Sequence, residues 1–119
     1  MEIKESKAIF VQIAERLCDE ILLGNYNDDE RIPSVREYAA LVEVNANTVV
    51  RSYDYLQNEE IIYNKRGLGY FVTPGAAQKI LTVRKDVFRK TILPEFVARV
   101  KQLNIPLKEI EKALEEAYR

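Results

Sequence analysis

The sequence contains no histidine and no tryptophan, and only one of its 119 residues is cysteine. Without histidine, the Ser-His-Asp and Cys-His arrangements of nucleophilic enzymes cannot form within it. With a single cysteine as well, we expect no zinc site. One cysteine excludes a disulfide within the chain and favours a reducing compartment, so we expect a cytoplasmic protein. We interpret Cys18 as part of the core, because no CxxC pair or neighbouring base would make it reactive.

Other features of enzymes and membrane proteins are also missing. No apolar run is long enough to span a bilayer, and the N-terminal Met-Glu-Ile-Lys-Glu does not resemble a signal peptide, so we expect no membrane association. No glycine-rich phosphate loop or dinucleotide motif is present. The paired carboxylates lie at apparent turns or on solvated helix faces: Asp28-Asp29-Glu30, Glu59-Glu60 and Glu115-Glu116. We therefore expect no catalytic residue, no cofactor and no metal, and we do not expect an enzyme.

Residues 31–58 show the pattern of two short helices joined by a tight turn. Ser34 and Glu37 form a Ser-x-x-Glu capping box, which predicts that the first helix begins directly after Pro33. Asn45 is a favourable N-cap for the second helix. Apolar residues recur at helical spacing and predict a buried face in each helix. They are Val35, Tyr38, Ala39 and Val42 in the first helix, and Val49, Tyr53 and Leu56 in the second.

The other face of the second helix carries side chains that can read DNA bases. Asn45, Asn47, Thr48 and Arg51 lie at its N-terminal end, together with Ala46. Asn can bind the edge of adenine with two hydrogen bonds, Arg can bind guanine in the same way, and Thr can reach a phosphate or a thymine methyl group. Taken singly, Asn45 and Asn47 are also explained as caps of a surface helix with no binding role.

A β-hairpin is predicted directly after the second helix. Residues 61–63 and 70–73 are short runs rich in β-branched and aromatic residues, separated by Asn64-Lys65-Arg66-Gly67-Leu68-Gly69. Two glycines allow positive φ in the turn, and the Lys-Arg pair suits phosphates or a minor groove. Two helices followed by such a hairpin form a winged helix-turn-helix, whose second helix can enter a DNA major groove. The predicted fold class is α+β, mostly α.

The rest of residues 1–75 completes this predicted domain. Residues 1–7 look like a loose lead-in, and residues 25–32 like an acidic loop, in which extended Arg31-Ile32 is expected to pair with the wing. Apolar residues that recur every four positions predict a helix from about Ala8 to Leu23, ended by Gly24-Asn25. These residues are Ile9, Ile13, Leu17 and Ile21.

Residues 9–72 resemble the GntR family of bacterial transcription regulators. The matching motifs are Ile-Phe-x-Gln-Ile near the start, Arg31-Ile32-Pro33-Ser34-x-Arg36-Glu37-x-Ala39, Asn47-Thr48-Val49 and Arg66-Gly67-x-Gly69-x-Phe71-Val72. The run from Val44 to Val49 and the short C-terminal tail are similar to the YtrA subgroup. Carried over by position, the resemblance implies DNA contacts at Arg36, Asn45, Asn47, Thr48, Arg51, Lys65, Arg66 and Gly67.

Four residues depart from the family's pattern. Asp29 and Glu43 stand where the family often has glycine. A residue other than glycine is strained at positive φ, so Glu43 implies either a different turn or a modest energetic cost. Ala46 and Val50 stand where many members have proline or a basic residue. Because Val50 cannot donate a hydrogen bond, we expect Arg51 to make more of the base contacts.

Residues 76–119 are predicted to form a helical tail that dimerises. An apolar stripe runs from Ile80 to Leu103, with a kink or break near Leu93 because Pro94 lies inside it, and a last helix follows the turn at 104–106. Neither the tail nor the small N-terminal domain can bury these stripes, so we expect them to pack against a second copy of the chain. The expected dimerisation residues are Val87, Phe88, Ile92, Phe96, Val100, Leu103, Leu107, Ile110 and Leu114. We interpret the neighbouring basic face as solvated, with DNA contact as the alternative: Arg84, Lys85, Arg89 and Lys90.

The charge is distributed unevenly along the chain. Residues 1–75 hold eight Lys or Arg and thirteen Asp or Glu, a net charge of −5, whereas residues 76–119 carry +4. A DNA-binding domain with excess acid must separate its charges. We expect the acids at 19–20 and 28–30 to lie away from DNA, and binding to be weak on nonspecific sequence and sensitive to salt.

The leading hypothesis is a homodimeric, sequence-specific transcription regulator that represses by binding a pseudo-palindromic operator in double-stranded DNA. The alternative is a winged-helix module that binds another protein and not DNA. The tail is too short for the ligand-binding or aminotransferase-like domain of the family's larger members. An effector would therefore bind between protomers, and nothing in the sequence identifies one.

Overall fold

An apolar core shared by three helices, a hairpin and the start of a fourth helix organises the structure, a computed structural model that describes residues 7–119. The first part of the chain consists of α1 (Ile9–Leu22), α2 (Val35–Val42), α3 (Ala46–Asn58), β1 (Ile62–Lys65) and β2 (Gly69–Val72). This order confirms the predicted winged helix-turn-helix. Of the predicted lead-in at residues 1–7, all but Lys7 lie outside the described residues.

Helix α1 buries the stripe that its sequence predicts, except at its first residue. Ile13, Leu17 and Ile21 are buried together with Ala14, but Ile9 stays 55% exposed. Cys18 is half-buried and packs against the core, as predicted. The helix lies within one residue of its predicted bounds and is followed by Gly24, whose φ of 86° suits the end of a helix.

The helix pair starts and turns at the predicted residues. Ser34 Oγ accepts the Glu37 N–H at 3.1 Å, and a Glu37 carboxylate oxygen accepts the Ser34 N–H at 2.8 Å, which confirms the capping box. The hydrogen bond from the Ser34 N–H stabilises the ionised carboxylate and lowers the pKa of the Glu37 carboxyl. Glu43 ends α2 in the left-handed conformation, with φ 59° and ψ 51°. The turn therefore keeps the geometry that suits glycine, at the cost of strain at a glutamate.

Tyrosines fill the centre of this core. Tyr38 and Tyr53 are fully buried with ring centroids 6.2 Å apart, and Tyr70 meets Tyr53 edge to face at 4.9 Å. The Tyr53 hydroxyl donates to the Pro33 carbonyl at 2.7 Å, and the Tyr38 hydroxyl lies 3.3 Å from a Glu20 carboxylate oxygen. Burial raises the pKa of both phenols well above the usual value. Both hydroxyls thus have acceptors, which lie at the partly exposed edge of the core.

The wing is a tighter hairpin than the sequence predicts. Ile62 pairs with Val72 and Lys65 pairs with Gly69, so the turn has three residues rather than six, and Lys65 belongs to the strand. The short turn closes through the Leu68 N–H, which donates to the Lys65 carbonyl at 2.8 Å. The predicted pairing of 31–32 with the wing is confirmed by an antiparallel bridge between Arg31 and Phe71.

The C-terminal part is helical and irregular around Pro94. Helix α4 (Ala76–Val87) continues through a π-helical segment (Phe88–Ile92) into α5 (Leu93–Gln102), and α6 (Leu107–Ala117) follows a turn. Pro94 has no N–H and would clash with the carbonyl four residues earlier, and the π-helical turn before it accommodates the ring. The break predicted near Leu93 is absent, and the irregularity takes the form of this wider turn.

Contacts divide the chain into one compact unit that ends at Thr82 and a second one, Val83–Arg119. Ala76 and Ile80 at the start of α4 are buried in the core of the first unit. That unit therefore extends seven residues beyond the boundary expected after residue 75. Within residues 7–119, no helix combines the length and the apolar character needed to cross a membrane.

We predict that Glu43→Gly raises the free energy of unfolding by about 1 kcal/mol, because glycine removes the Cβ strain of the left-handed conformation. Urea denaturation followed by circular dichroism measures this change. Glu43→Ala is the matched control: it shortens the side chain but keeps Cβ, so it should leave the stability within about 0.5 kcal/mol of the original. A lower urea midpoint for Glu43→Gly would contradict the strain at this turn.

Candidate nucleic-acid interface

The N-terminal end of α3 presents the predicted polar side chains at the surface. Asn45 caps the helix, since its side-chain oxygen accepts the Asn47 N–H at 2.8 Å. The capping interpretation of Asn45 is therefore correct, and its amide NH2 remains as a donor. The Asn47 side chain is exposed and Thr48 is half-buried. The apolar Val50 is 41% exposed on the same helix.

Arg51 lies over an aromatic ring. Its guanidinium carbon is 4.3 Å from the centroid of the Phe10 ring, a cation–π contact that the sequence pattern did not reveal. Among residues 7–119, the guanidinium N–H groups of Arg51 have no hydrogen-bond acceptor, so they remain able to donate. Arg36 lies on α2, where the buried residues are Tyr38 and Ala39, and its side chain is exposed.

A ladder of side chains crosses the wing. The Lys65 ammonium lies 5.3 Å from the centroid of the Phe71 ring, and Phe71 stacks on Tyr63 with ring centroids 5.7 Å apart. The Tyr63 hydroxyl donates to an Asp29 carboxylate oxygen at 2.7 Å, and this hydrogen bond raises the pKa of the phenol. Asp29 has φ 63°, so this residue, like Glu43, keeps a backbone conformation that suits glycine.

Arg31 is a wing residue that sequence reasoning missed as a candidate for DNA binding. Its Nε donates to the Leu68 carbonyl in the turn at 3.2 Å. A Cβ on Gly69 would lie 2.9 Å from the same Nε, so a larger residue would displace the Arg31 side chain, and the φ of 118° also favours glycine there. The sequence did contain a hint of this role, since residues 31–32 were predicted to pair with the wing. Such pairing brings the positive charge of Arg31 to the wing that carries Lys65 and Arg66. Leu68 itself is 63% exposed in the turn.

Among the residues that the structure describes, the candidate cations have no carboxylate at ion-pair distance. Within residues 7–119, none of Arg36, Arg51, Lys65 and Arg66 has a carboxylate oxygen within 4.0 Å of its charged nitrogens. By contrast, Arg16 lies 4.0 Å from Glu20, among the acids at the end of α1. An acidic domain can therefore still offer unpaired positive charge on α2, α3 and the wing.

We predict that Gly69→Ala lowers the free energy of unfolding more than Gly67→Ala. Both glycines have positive φ, at 118° and 79°, but only the Gly69 substitution meets Arg31. The test is a double-mutant cycle by urea denaturation: in an Arg31→Ala background, the cost of Gly69→Ala should fall by about 1 kcal/mol. An equal cost in both backgrounds would show that Arg31 does not require the glycine.

The chain is similar in sequence to known transcription regulators. Residues 10–72 match the model of the family described as bacterial regulatory proteins, gntR family. The chain is 30% identical over 109 residues to the HTH-type transcriptional regulator YhcF of Bacillus subtilis, covering 92% of this chain and 88% of that protein. It is also 30% identical over 101 residues to the HTH-type transcriptional repressor YtrA of the same organism, covering 82% and 78%.

A solved structure extends the similarity to nearly the whole chain. A GntR-family protein from Bacteroides thetaiotaomicron is 53% identical, with a TM-score of 0.78 over 93% of this chain and 96% of that one. The similarity therefore includes the helical tail as well as the winged helix-turn-helix.

Proposed function

This chain belongs to the GntR family of bacterial regulatory proteins and is a DNA-binding transcription regulator, and we propose that it acts as a homodimeric repressor on a pseudo-palindromic operator. The observation that carries the proposal is the presence in one compact unit of an exposed polar N-terminus on α3 and a cationic wing, which packs on α3 through Tyr70 and Tyr53. The protein would act in the cytoplasm, where its DNA is. Occupation of a promoter would exclude polymerase from it.

The residues of α3 would read bases. Arg51 can bind guanine with two hydrogen bonds, and the exposed Asn47 amide can bind adenine in the same way. The methyl groups of Val50 offer an apolar contact to thymine, which replaces the hydrogen bond that a basic residue would make there. Asn45 would contribute through its NH2 group alone, because its oxygen serves as the helix cap.

The remaining candidates would bind the DNA backbone. Arg36, exposed on α2, and Thr48 suit phosphates, as do Lys65 and Arg66 on the wing. Gly67 lets the turn approach a groove without a side chain. We add Arg31 to these backbone-binding candidates. Its Nε donates a hydrogen bond to the wing turn, and its positive charge adds to that of the wing. Contacts of this kind position the protein without reading sequence.

Dimerisation through the tail would bring two such interfaces together. The nine predicted dimerisation residues are all exposed or half-buried in the single chain. Helices α5 and α6 border an open groove of about 590 Å³, lined largely by apolar side chains including Phe96, Val100 and Ile110. An exposed apolar surface of this extent is expected to be buried by a partner. A second copy of this chain can bury it, since homo-oligomers are the commonest assemblies of soluble proteins. Two-fold symmetry then requires two half-sites related by the same symmetry.

Selection of genomic DNA fragments by the purified protein, at low and at moderate salt, tests the function. A pseudo-palindromic fragment that survives at moderate salt would support a regulator with a defined operator. Folded, dimeric protein that retains no fragment above background at either salt would contradict the proposal and favour the alternative, a module that binds protein. The acidic balance of residues 1–75 is the observation behind that alternative.

We predict that replacing both Lys65 and Arg66 by Ala weakens binding to the operator and to a scrambled duplex by the same factor. Loss of two phosphate contacts should also reduce the slope of log affinity against log salt by about 1–2.

Arg51→Ala should instead weaken operator binding by about 1–3 kcal/mol and leave binding to scrambled DNA nearly unaffected. Arg16→Ala removes a cation beside Glu20 and serves as the control. Wild-type affinity in both variants would show that the interface lies elsewhere.

We predict that Phe96→Asp dissociates the dimer, because dimerisation would bury an unpaired carboxylate. Light scattering across a range of protein concentrations measures the effect. Gln102→Asp is the matched control, since residue 102 is rotated about 120° from residue 96 around α5 and lies away from the apolar stripe. If Phe96→Asp stays dimeric at the concentrations where the original chain is dimeric, the interface does not include α5.

A further inference from the structure

Phe10 lies between two residues of the helix that would read DNA. The face of its ring carries the Arg51 guanidinium at 4.3 Å, and its ring meets that of Tyr55 at a centroid distance of 6.1 Å with the planes at 75°. Arg51 and Tyr55 are four residues apart, so they project from the same side of α3. Phe10 is half-buried whereas Arg51 is exposed. The ring therefore forms a fixed base under a charged side chain that faces solvent.

A buried hydroxyl fixes the backbone of Phe10 against the same turn of α3. Ser52, next to Arg51, is fully buried, and its Oγ lies 2.7 Å from the Phe10 carbonyl oxygen and 3.0 Å from that of Thr48. A buried hydroxyl needs a hydrogen-bond partner, and the Phe10 carbonyl, at the closer distance, provides one. The start of α1 is thus attached to α3 through both the backbone and the ring of one residue.

We propose that Phe10 is a positioning residue for base recognition, which holds the Arg51 guanidinium in the orientation that reads guanine. The proposal rests on the proposed role of Arg51 in DNA binding. A free arginine loses rotamer freedom when it binds a base, and this loss opposes binding. Stacking on Phe10 removes much of that freedom before DNA arrives. Because none of the guanidinium N–H groups is hydrogen-bonded among residues 7–119, they remain available for the two hydrogen bonds to guanine.

The effect of Phe10 should appear in base preference and not in general affinity. The ring carries no charge and replaces no phosphate contact, so it cannot change the number of counterions released on binding. The wing cations have their own supports, Phe71 for Lys65 and the turn carbonyl for Arg31, and do not depend on Phe10. Loss of the ring should therefore affect only the base pair that Arg51 reads.

The test measures affinities for the duplex recovered by fragment selection, for its single-base-pair variants and for a scrambled duplex. We expect Phe10→Leu to weaken operator binding about three- to tenfold, in line with a partly desolvated cation–π contact. It should lose preference at the same base pair as Arg51→Ala, with an unchanged salt slope. Phe10→Tyr, which keeps the ring, should restore the preference. In an Arg51→Ala background, Phe10→Leu should have no further effect on DNA binding.

A stability control separates positioning from general damage to the fold. Leu22→Ala removes a half-buried apolar side chain from the opposite end of α1 and should lower stability without altering base preference. Multiplicative effects of Phe10→Leu and Arg51→Ala, or equal weakening on operator and scrambled DNA, would overturn the proposal for Phe10 while leaving Arg51 in place. Unchanged base preference in Arg51→Ala would instead remove the premise, and the proposal with it.

A measurement without DNA covers the case in which Phe10→Leu does not fold. In the NMR spectrum of the original chain, the Nε–H proton of Arg51 should show an upfield ring-current shift, as expected for a group above an aromatic face. Phe10→Tyr should preserve that shift. A random-coil position for this proton in the folded original chain would overturn the proposal directly.

Discussion

Tyr53 is the residue on which the geometry of this DNA-binding unit depends. Its ring is completely buried between Tyr38 of α2 and Tyr70 of β2, and its hydroxyl donates to the Pro33 carbonyl just before α2. One side chain of α3 therefore contacts the preceding helix, the loop that leads into it and the wing. A winged helix-turn-helix binds DNA only if α3 and the wing keep a fixed mutual position. Here that position is set by close packing of rings and by one buried hydrogen bond, which together leave little freedom for rotation.

Aromatic faces solve an electrostatic problem for this domain. Residues 1–75 have a net charge of −5, so few cations are available to bind phosphates, and the position of each one matters. Arg51 rests on Phe10 and Lys65 lies over Phe71, so neither needs a carboxylate to hold it. An ion pair would fix the same side chains but cancel the charge that DNA requires. A ring fixes them and leaves the charge uncompensated, which suits a protein whose affinity must come from few contacts.

Local sequence signals predicted most of the fold, whereas contacts between distant residues were out of reach. The Ser34–Glu37 box, the Asn45 cap and the stripe of Val49, Tyr53 and Leu56 each depend on neighbours within a few positions, and each appears as predicted. The wing turn was predicted too long, because the strands were limited to the runs rich in β-branched and aromatic residues, whereas strand pairing also includes the polar Asn64 and Lys65. Phe10 under Arg51 and Arg31 against Gly69 join residues about forty positions apart, and no periodic pattern encodes such contacts.

The tail determines how such a sparse interface could still bind DNA specifically. A single domain with so few cations would bind weakly and lose affinity quickly as salt rises. When two domains are linked, the second domain binds DNA intramolecularly, at a high effective concentration. The dimer can therefore bind much more tightly than either domain alone. On the proposed model, the apolar surfaces of α5 and α6 are therefore as necessary for recognition as Arg51 itself. It also follows that occupancy of an operator would depend on the concentration of the chain through its dimerisation equilibrium. A molecule that entered the groove between α5 and α6 would change DNA binding without touching α3 or the wing.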